Sequence, residues 1–101
     1  MAAFIFSSPF KLWFRGLKDE RAKARILSRI DLAELGNFGD SEPVGEGVSE
    51  MRIHYGPGYR LYYARHDETV YLLLLGGDKS SQKRDIKRAI EMMRDIRKDI
   101  K

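Results

Sequence analysis

The sequence has 101 residues, 43% of them apolar, and a formal net charge of +4. A chain of this length has room for one hydrophobic core, which excludes two independent domains and predicts a single domain over residues 1–101. It has no cysteine, and its two histidines lie twelve residues apart, so we expect no disulfide, no metal and no small-molecule cofactor.

The excess positive charge lies entirely in the second half of the chain. Residues 1–47 contain seven Lys and Arg against seven Asp and Glu, whereas residues 48–101 contain twelve against eight. This asymmetry indicates a polyanionic partner. The first ten residues lack the basic start of an export signal, and the apolar run 72–75 is far too short to span a membrane. We therefore expect a soluble, cytoplasmic protein with no membrane partner.

The first third of the chain predicts a strand followed by a helical hairpin. Residues 4–6 form a short apolar run of strand type, and a serine after it can cap a helix that carries Pro9 in its first turn. Apolar residues then recur at helical spacing, and we expect the aromatic ones to be core: Phe10, Trp13, Phe14 and Leu17. After a break near residues 18 and 19, a second helix that ends at Gly36 carries one apolar stripe: Ala22, Ile26, Ile30 and Ala33.

Residues 36–47, GNFGDSEPVGEG, predict a loop, because four glycines and a proline interrupt any hydrophobic periodicity. Long ordered loops in small domains are often functional. The acidic residues Asp40, Glu42 and Glu46 argue against nucleic-acid contact along the whole loop.

A β-hairpin is predicted on either side of the sequence Gly-Pro-Gly at 56–58. Apolar residues alternate with polar ones before and after this turn, and the two apolar sets must share the core face. A regular pairing then puts Arg52 opposite Arg60 or Tyr62, across a loop of three or five residues centred on Gly56 or Pro57.

Either register collects polar side chains on one surface of the hairpin. If Arg52 faces Arg60 directly, the like charges repel unless an anion or Glu50 lies between them, which suggests a phosphate site. The surface contains Glu50, Arg52, His54, Arg60 and Tyr62.

A third strand is predicted over residues 69–75, whose continuous apolar sequence indicates a central strand buried on both faces. We expect it to end at Gly76 and Gly77, where two glycines allow a tight turn. Asp78 or Ser80 can cap the helix that follows, and the start of that helix, residues 79–81, can bind an oxyanion.

The last helix has an apolar face that predicts packing on the sheet or on another protein. This face consists of Ile86, Ala89, Ile90, Met93, Ile96 and Ile100. An adjacent basic stripe consists of Lys83, Lys87, Arg94 and Lys98.

These motifs together resemble the phage-derived addiction-module killer family, a HigB-like branch of the RelE/ParE toxin superfamily. The likeness rests on the hairpin GVSEMRIHYGPGYRLYYAR, on LLLLGGDKSSQ after it, and on LKDERAKARILSRI and LGNFGD before it. The resemblance implies an α+β, RelE-like fold in the order β-α-α-β-β-β-α. A twisted antiparallel sheet of about four strands would carry the N-terminal helical hairpin and a C-terminal helix. It also implies a type II toxin-antitoxin partner, a small helix-turn-helix antitoxin of HigA type.

The best-known activity of the superfamily, cleavage of mRNA on the ribosome, implies roles for the polar surface. Metal-free cleavage must activate the 2′-OH, stabilise a phosphorane and protonate the leaving 5′ oxygen. By resemblance Arg52 and Arg60 would clamp the scissile phosphate. Glu50, His54 or Tyr62 would transfer a proton, with Glu50 favoured as the base. The implied catalytic residues are Glu50, Arg52, Arg60, Tyr62 and Lys79. The residues implied to bind RNA or phosphate are Arg52, His54, Tyr55, Arg60, Lys79, Ser80 and Lys83.

The sequence departs from the better-characterised members after the last strand. Those toxins often carry His-Arg or Tyr there, whereas this chain has Gly-Gly-Asp-Lys-Ser-Ser-Gln. The general acid is therefore unassigned, with Lys79 or Tyr55 as substitutes. Three classes of function stay open: an endoribonuclease toxin, a ParE-like toxin that inhibits DNA gyrase, and a non-catalytic nucleic-acid-binding module.

Overall fold

The computed structural model describes residues 2–99, which form five strands and three helices. In chain order these are β1 (Ala3–Phe6), α1 (Ser8–Gly16), α2 (Glu20–Glu34), β2 (Ser41–Gly45), β3 (Val48–Ile53), β4 (Tyr59–Arg65), β5 (Val70–Asp78) and α3 (Gln82–Asp99). A short 3-10 turn, Lys79–Ser81, precedes α3. The predicted α+β class is confirmed, and the expected order lacked only β2.

The five strands form one sheet in the order β1-β5-β4-β3-β2. β2 to β5 pair antiparallel, but β1 runs parallel to β5, so the expectation of a wholly antiparallel sheet of four strands was wrong. Parallel pairing is possible here because most of the chain separates β1 from β5 and supplies the long connection that such a pair needs.

The strand β2 lies in the segment that was predicted to be a loop. It pairs with β3 from Ser41 opposite Met51 to Gly45 opposite Val48, with an irregularity after Pro43. Proline has no backbone N–H with which to hydrogen-bond a second neighbouring strand. It is accommodated here because β2 is an edge strand with one neighbour. The prediction failed because glycine and proline also occur in edge strands and at bulges.

The helical hairpin covers one face of the sheet. The predicted stripe of α2 is buried, and Phe10 of α1 is buried with it against β3, β4 and β5. Trp13 and Phe14 pack on this core and stay partly exposed. Core packing of the aromatic residues of α1 is therefore confirmed.

The helix α3 covers the other face. Its residues Ala89 and Met93 are buried against Val48, Tyr62 and Leu74 of the sheet, and Ile86, Ile90 and Ile96 are partly buried. The sixth predicted residue of this face, Ile100, lies outside the described residues. Packing on the sheet is thus confirmed, and it covers part of the surface that the polar residues of β3 and β4 share. Within residues 2–99, no helix has the length and apolar character needed to cross a membrane.

The strand β5 continues past its predicted end, through Gly76 and Gly77 to Asp78. Both glycines pair with β4, and neither has a positive φ. A Cβ atom on Gly76 would lie 2.1 Å from the ring of Trp13, and one on Gly77 would lie 2.0 Å from Asp85 Oδ2. The glycines therefore allow α1 and α3 to approach the strand from its two faces, and the expectation of a tight turn was wrong.

Candidate functional site

Arg52 and Arg60 lie directly opposite each other on β3 and β4. The five residues between Ile53 and Tyr59 form the connecting loop, which is centred on Gly56. Gly56 and Gly58 have positive φ values of 56° and 79°, a conformation that glycine adopts without steric cost. One of the two predicted registers is confirmed, and it is the one that brings the two arginines together.

The anion between the two arginines is the carboxylate of Glu50. Its Oε1 accepts from Arg52 Nε at 3.1 Å and from Arg60 Nη1 at 3.0 Å, and its Oε2 accepts from Gln82 Nε2 at 2.9 Å. Glu50 is completely buried beneath α3. A buried carboxylate is stable only when it is paired with positive charge. Glu50 in turn neutralises part of the charge of both arginines.

Arg52 is bound by carboxylates at all three guanidinium nitrogens. Besides Glu50, its Nη1 lies 3.2 Å from Asp40 Oδ1 and its Nη2 lies 2.7 Å from Glu42 Oε2. Hydrogen bonds to Glu42 and then to Glu50 raise the pKa of Arg52 further above its ordinary value. Asp40 and Glu42 come from the predicted loop, and their alternation on either side of Ser41 is the signal that could have placed them on a strand beside Arg52.

Arg60 is held more loosely than Arg52. Only its Nη1 bonds a carboxylate, and Nε has no hydrogen-bond partner. Its side chain is 13% exposed, against 24% for Arg52. Because the Nε atom is buried, Arg60 keeps only Nη2 for a ligand, whereas Arg52 must exchange a carboxylate for one.

His54 extends from the end of this cluster into solvent. Its Nε2 lies 2.6 Å from Asp40 Oδ2, and its side chain is 75% exposed. The contact with His54, and then the charge of Arg52, hold the pKa of Asp40 below its ordinary value. A carboxylate that orients an imidazole is a common arrangement for proton transfer.

The structure does not bring the two predicted tyrosines into this exposed cluster. Tyr62 is completely buried under α3, and burial followed by the nearby Glu50 carboxylate raises the pKa of its hydroxyl well above the ordinary value. Tyr55 packs on the opposite core, where its hydroxyl donates to Asp19 Oδ2 at 3.1 Å and Arg25 lies over its ring. Neither hydroxyl faces the arginine pair from solvent.

Lys79, Ser80 and Lys83 lie at the corner between β5 and α3. They line a depression of about 350 Å³ together with Gln82, the residue whose amide contacts Glu50. The amide N–H and the hydroxyl of Ser80 both donate to Asp78 Oδ1, which confirms Asp78 as the cap. The side chains of Lys79 and Lys83 form no ion pair with a described residue.

Chemically, this arrangement provides a partly free arginine, two exposed lysines and an imidazole held by a carboxylate. Such groups can bind a phosphate and move a proton without a metal. Among residues 2–99, no set of three or more acidic or histidine side chains is arranged to hold a metal ion.

Comparison with known proteins places the chain among phage-related sequences. Residues 12–97 match the profile of the family described as "Phage derived protein Gp49-like (DUF891)". A Haemophilus influenzae protein (strain Rd), described as "Uncharacterized protein", is 48% identical over 80 residues, which cover 79% of this chain and 81% of that protein.

Proposed function

Because the chain belongs to the phage-derived Gp49-like family, which is associated with toxin-antitoxin modules, we propose that it is the toxin of a type II module and cleaves mRNA. The observation that carries this proposal is the opposed pair Arg52 and Arg60, joined by Glu50 and adjacent to the depression lined by Lys79 and Lys83. The proposed target is mRNA on the ribosome, and the proposed partner is a HigA-like helix-turn-helix antitoxin.

In the proposed reaction, the cationic groups bind the scissile phosphate. Arg60 donates to a non-bridging oxygen from Nη2, which Glu50 leaves unused, and Lys79 approaches from the corner after β5. Donors aimed at the phosphorane stabilise the charge that develops as the 2′-OH attacks. Arg52 joins them when the phosphate displaces Asp40 or Glu42 from its guanidinium.

Proton transfer in this proposal falls to His54, with Asp40 as its positioning residue. Glu50, which the resemblance favoured as the base, is completely buried and accepts three hydrogen bonds from Arg52, Arg60 and Gln82. A carboxylate with no exposed surface cannot be approached by a 2′-OH. His54 is 75% exposed and can reach a hydroxyl.

The test is inducible expression in a bacterial host, followed by sequencing of mRNA 5′ ends. The wild-type chain should arrest growth and produce codon-phased cuts in translated messages. Arg60→Lys keeps a cation beside Glu50 but loses the forked donor, so we expect the cleavage rate to fall by about 100-fold. Thermal unfolding of the purified variant should match that of the wild type.

A matched control is Arg15→Ala, because Arg15 is an exposed arginine of α1 with no hydrogen bond or ion pair to a described side chain. This variant should cleave at the wild-type rate. Full cleavage by Arg60→Lys, or intact mRNA during growth arrest, would contradict the proposed nuclease.

A toxin that inhibits DNA gyrase is the second candidate. It is favoured by the engagement of Arg52 with three carboxylates and by the burial of Glu50 and Tyr62, which leave few free groups for catalysis. Growth arrest with intact messages and impaired supercoiling would support this candidate over the first.

A further inference from the structure

A second cavity opens at the edge of the sheet, and it shares Ser80, Ser81 and Arg84 with the depression at the corner between β5 and α3. The strand β1 ends with Phe6 opposite Leu73, so the rest of β5 has no strand neighbour on that side. The chain turns at Ser7, whose hydroxyl donates to Leu74 O at 2.6 Å, and continues as α1. The gap that remains between α1 and α3 has a volume of about 430 Å³.

The walls of this cavity include an aromatic ring and backbone that carries no side chain. Trp13 is partly exposed, and its ring lies against Gly76, so close that no side chain fits between them. The strand edge therefore presents backbone groups beside the indole. A flat ligand can contact both at once.

Two arginines of α3, Arg84 and Arg88, also line the cavity. They are one turn apart, both are exposed, and neither side chain makes a hydrogen bond or an ion pair with a described residue. Arg52 and Arg94, by contrast, are engaged by carboxylates. Unpaired, adjacent arginines beside an aromatic ring are typical of phosphate and nucleic-acid recognition.

The two acidic residues of the cavity, Asp78 and Asp85, form no ion pair with these arginines. Asp78 accepts from Ser80 and Asp85 accepts from Ser81, both within the turn that begins α3. Carboxylates that line a cavity can also accept from the amino and imino groups of a nucleobase.

We propose that this cavity binds one nucleotide of single-stranded RNA, with its phosphate on Arg84 and Arg88 and its base against Trp13 and the open edge of β5. The inference rests on RNA as the substrate of the proposed function, and it adds a contact beside the scissile phosphate, because Gly77 of this cavity pairs with Arg60. The volume suits a single nucleotide. An acidic peptide fits less well, because it offers carboxylates to the arginines but no flat base to lie against Trp13.

The fluorescence of Trp13 tests the proposal directly, because it is the only tryptophan of the chain. The probe is a hexanucleotide RNA with 2′-O-methyl groups, which cannot undergo attack by its own 2′-OH. Binding should quench the fluorescence saturably. In Arg84→Ala/Arg88→Ala the affinity should fall by roughly tenfold or more, and the slope of log affinity against log salt should decrease by about 0.7, from one lost phosphate contact.

Lys11→Ala/Arg15→Ala is the matched control. It removes the same charge at the same helical spacing from α1, where neither residue lines the cavity. This variant should bind like the wild type, and all variants should unfold at the same temperature. Absence of quenching at millimolar RNA, equal weakening in both double variants, or equal quenching by an oligoglutamate peptide would overturn the proposal.

The proposed nuclease activity and the proposed nucleotide site can be contradicted by different results. Arg60→Lys should retain quenching while it loses cleavage. Quenching by a wild-type protein that leaves mRNA intact would support the nucleotide site and contradict the nuclease. Cleavage without quenching would overturn the nucleotide site alone.

Discussion

At the scale of single residues, two glycines of β5 were predicted to form a turn, but they instead allow two helices to pack close to the strand. Gly76 has extended backbone that any residue could adopt. The ring of Trp13, however, leaves no space for a side chain at this position. That ring is itself held between Phe10 and Tyr59, with centroids 5.7 and 6.0 Å away.

We therefore expect Gly76→Ala to lower the free energy of unfolding by about 3 kcal/mol, the cost of overpacking a well-filled core. Urea denaturation measures this value. Gly16→Ala is the control, because a Cβ on Gly16 meets no atom within 4 Å and its φ is not positive. Alanine at that helical position should change stability by about 1 kcal/mol at most, in the stabilising direction. Equal stability of the two variants would show that the Trp13 contact does not constrain the strand.

At the scale of elements, the junction of β1, α1 and β5 depends on one hydroxyl. Ser7 Oγ accepts from Phe10 N at 3.1 Å, which caps α1, and donates to Leu74 O at 2.6 Å, where the β5 ladder shifts register. The sequence predicted a serine cap, and the structure selects Ser7 over its neighbour Ser8.

Ser7→Ala should consequently reduce the free energy of unfolding by about 1 to 2 kcal/mol, since it removes a helix cap and leaves a carbonyl without its donor. Ser8→Ala should have almost no effect, because Ser8 is exposed and its side chain makes no hydrogen bond to a described residue. Thermal unfolding of the pair measures the difference, and equal melting temperatures would contradict the assigned cap.

At the scale of the whole molecule, three carboxylates join segments that are distant in sequence. Asp19 binds the hydroxyl of Tyr55, Asp40 joins His54 and Arg52, and Glu46 binds Arg94 of α3. The pKa of each lies below its ordinary value, chiefly because of hydrogen bonds from Ala22 N, His54 and Arg94 respectively.

These lowered pKa values predict a loss of stability in acid. A group whose pKa is lower in the folded state stabilises the protein above its unfolded pKa and loses that effect as the pH falls through the folded value. The ordinary values are 3.8 for Asp and 4.5 for Glu, so the melting temperature should decline once the pH falls below about 4.5. Glu46→Gln should flatten this decline. A melting temperature that is constant from pH 6 to pH 3 would contradict the prediction.

The sequence by itself determined the elements with strong periodicity and the pairing of the central hairpin. The α2 stripe repeats at helical spacing, and the alternation around Gly56 required Arg52 to face Arg60 or Tyr62, because two apolar sets had to share one face. Such inferences succeed because side-chain direction follows from local backbone geometry. The same geometry placed Glu50 on the surface that carries both arginines.

What covers the surface that carries both arginines, and which distant groups reach it, depends on how the elements pack in three dimensions. Alternation shows which residues share a face, but burial of Glu50 and Tyr62 depends on where α3 packs. Of the carboxylates on Arg52, Glu42 lies on β2 and Asp40 directly precedes it, and a glycine-rich segment does not reveal the pairing partner of this edge strand. The cavity beside Trp13 exists because β1 stops before β5 does. Contacts between segments far apart in sequence follow from how the elements assemble, and no local pattern encodes them.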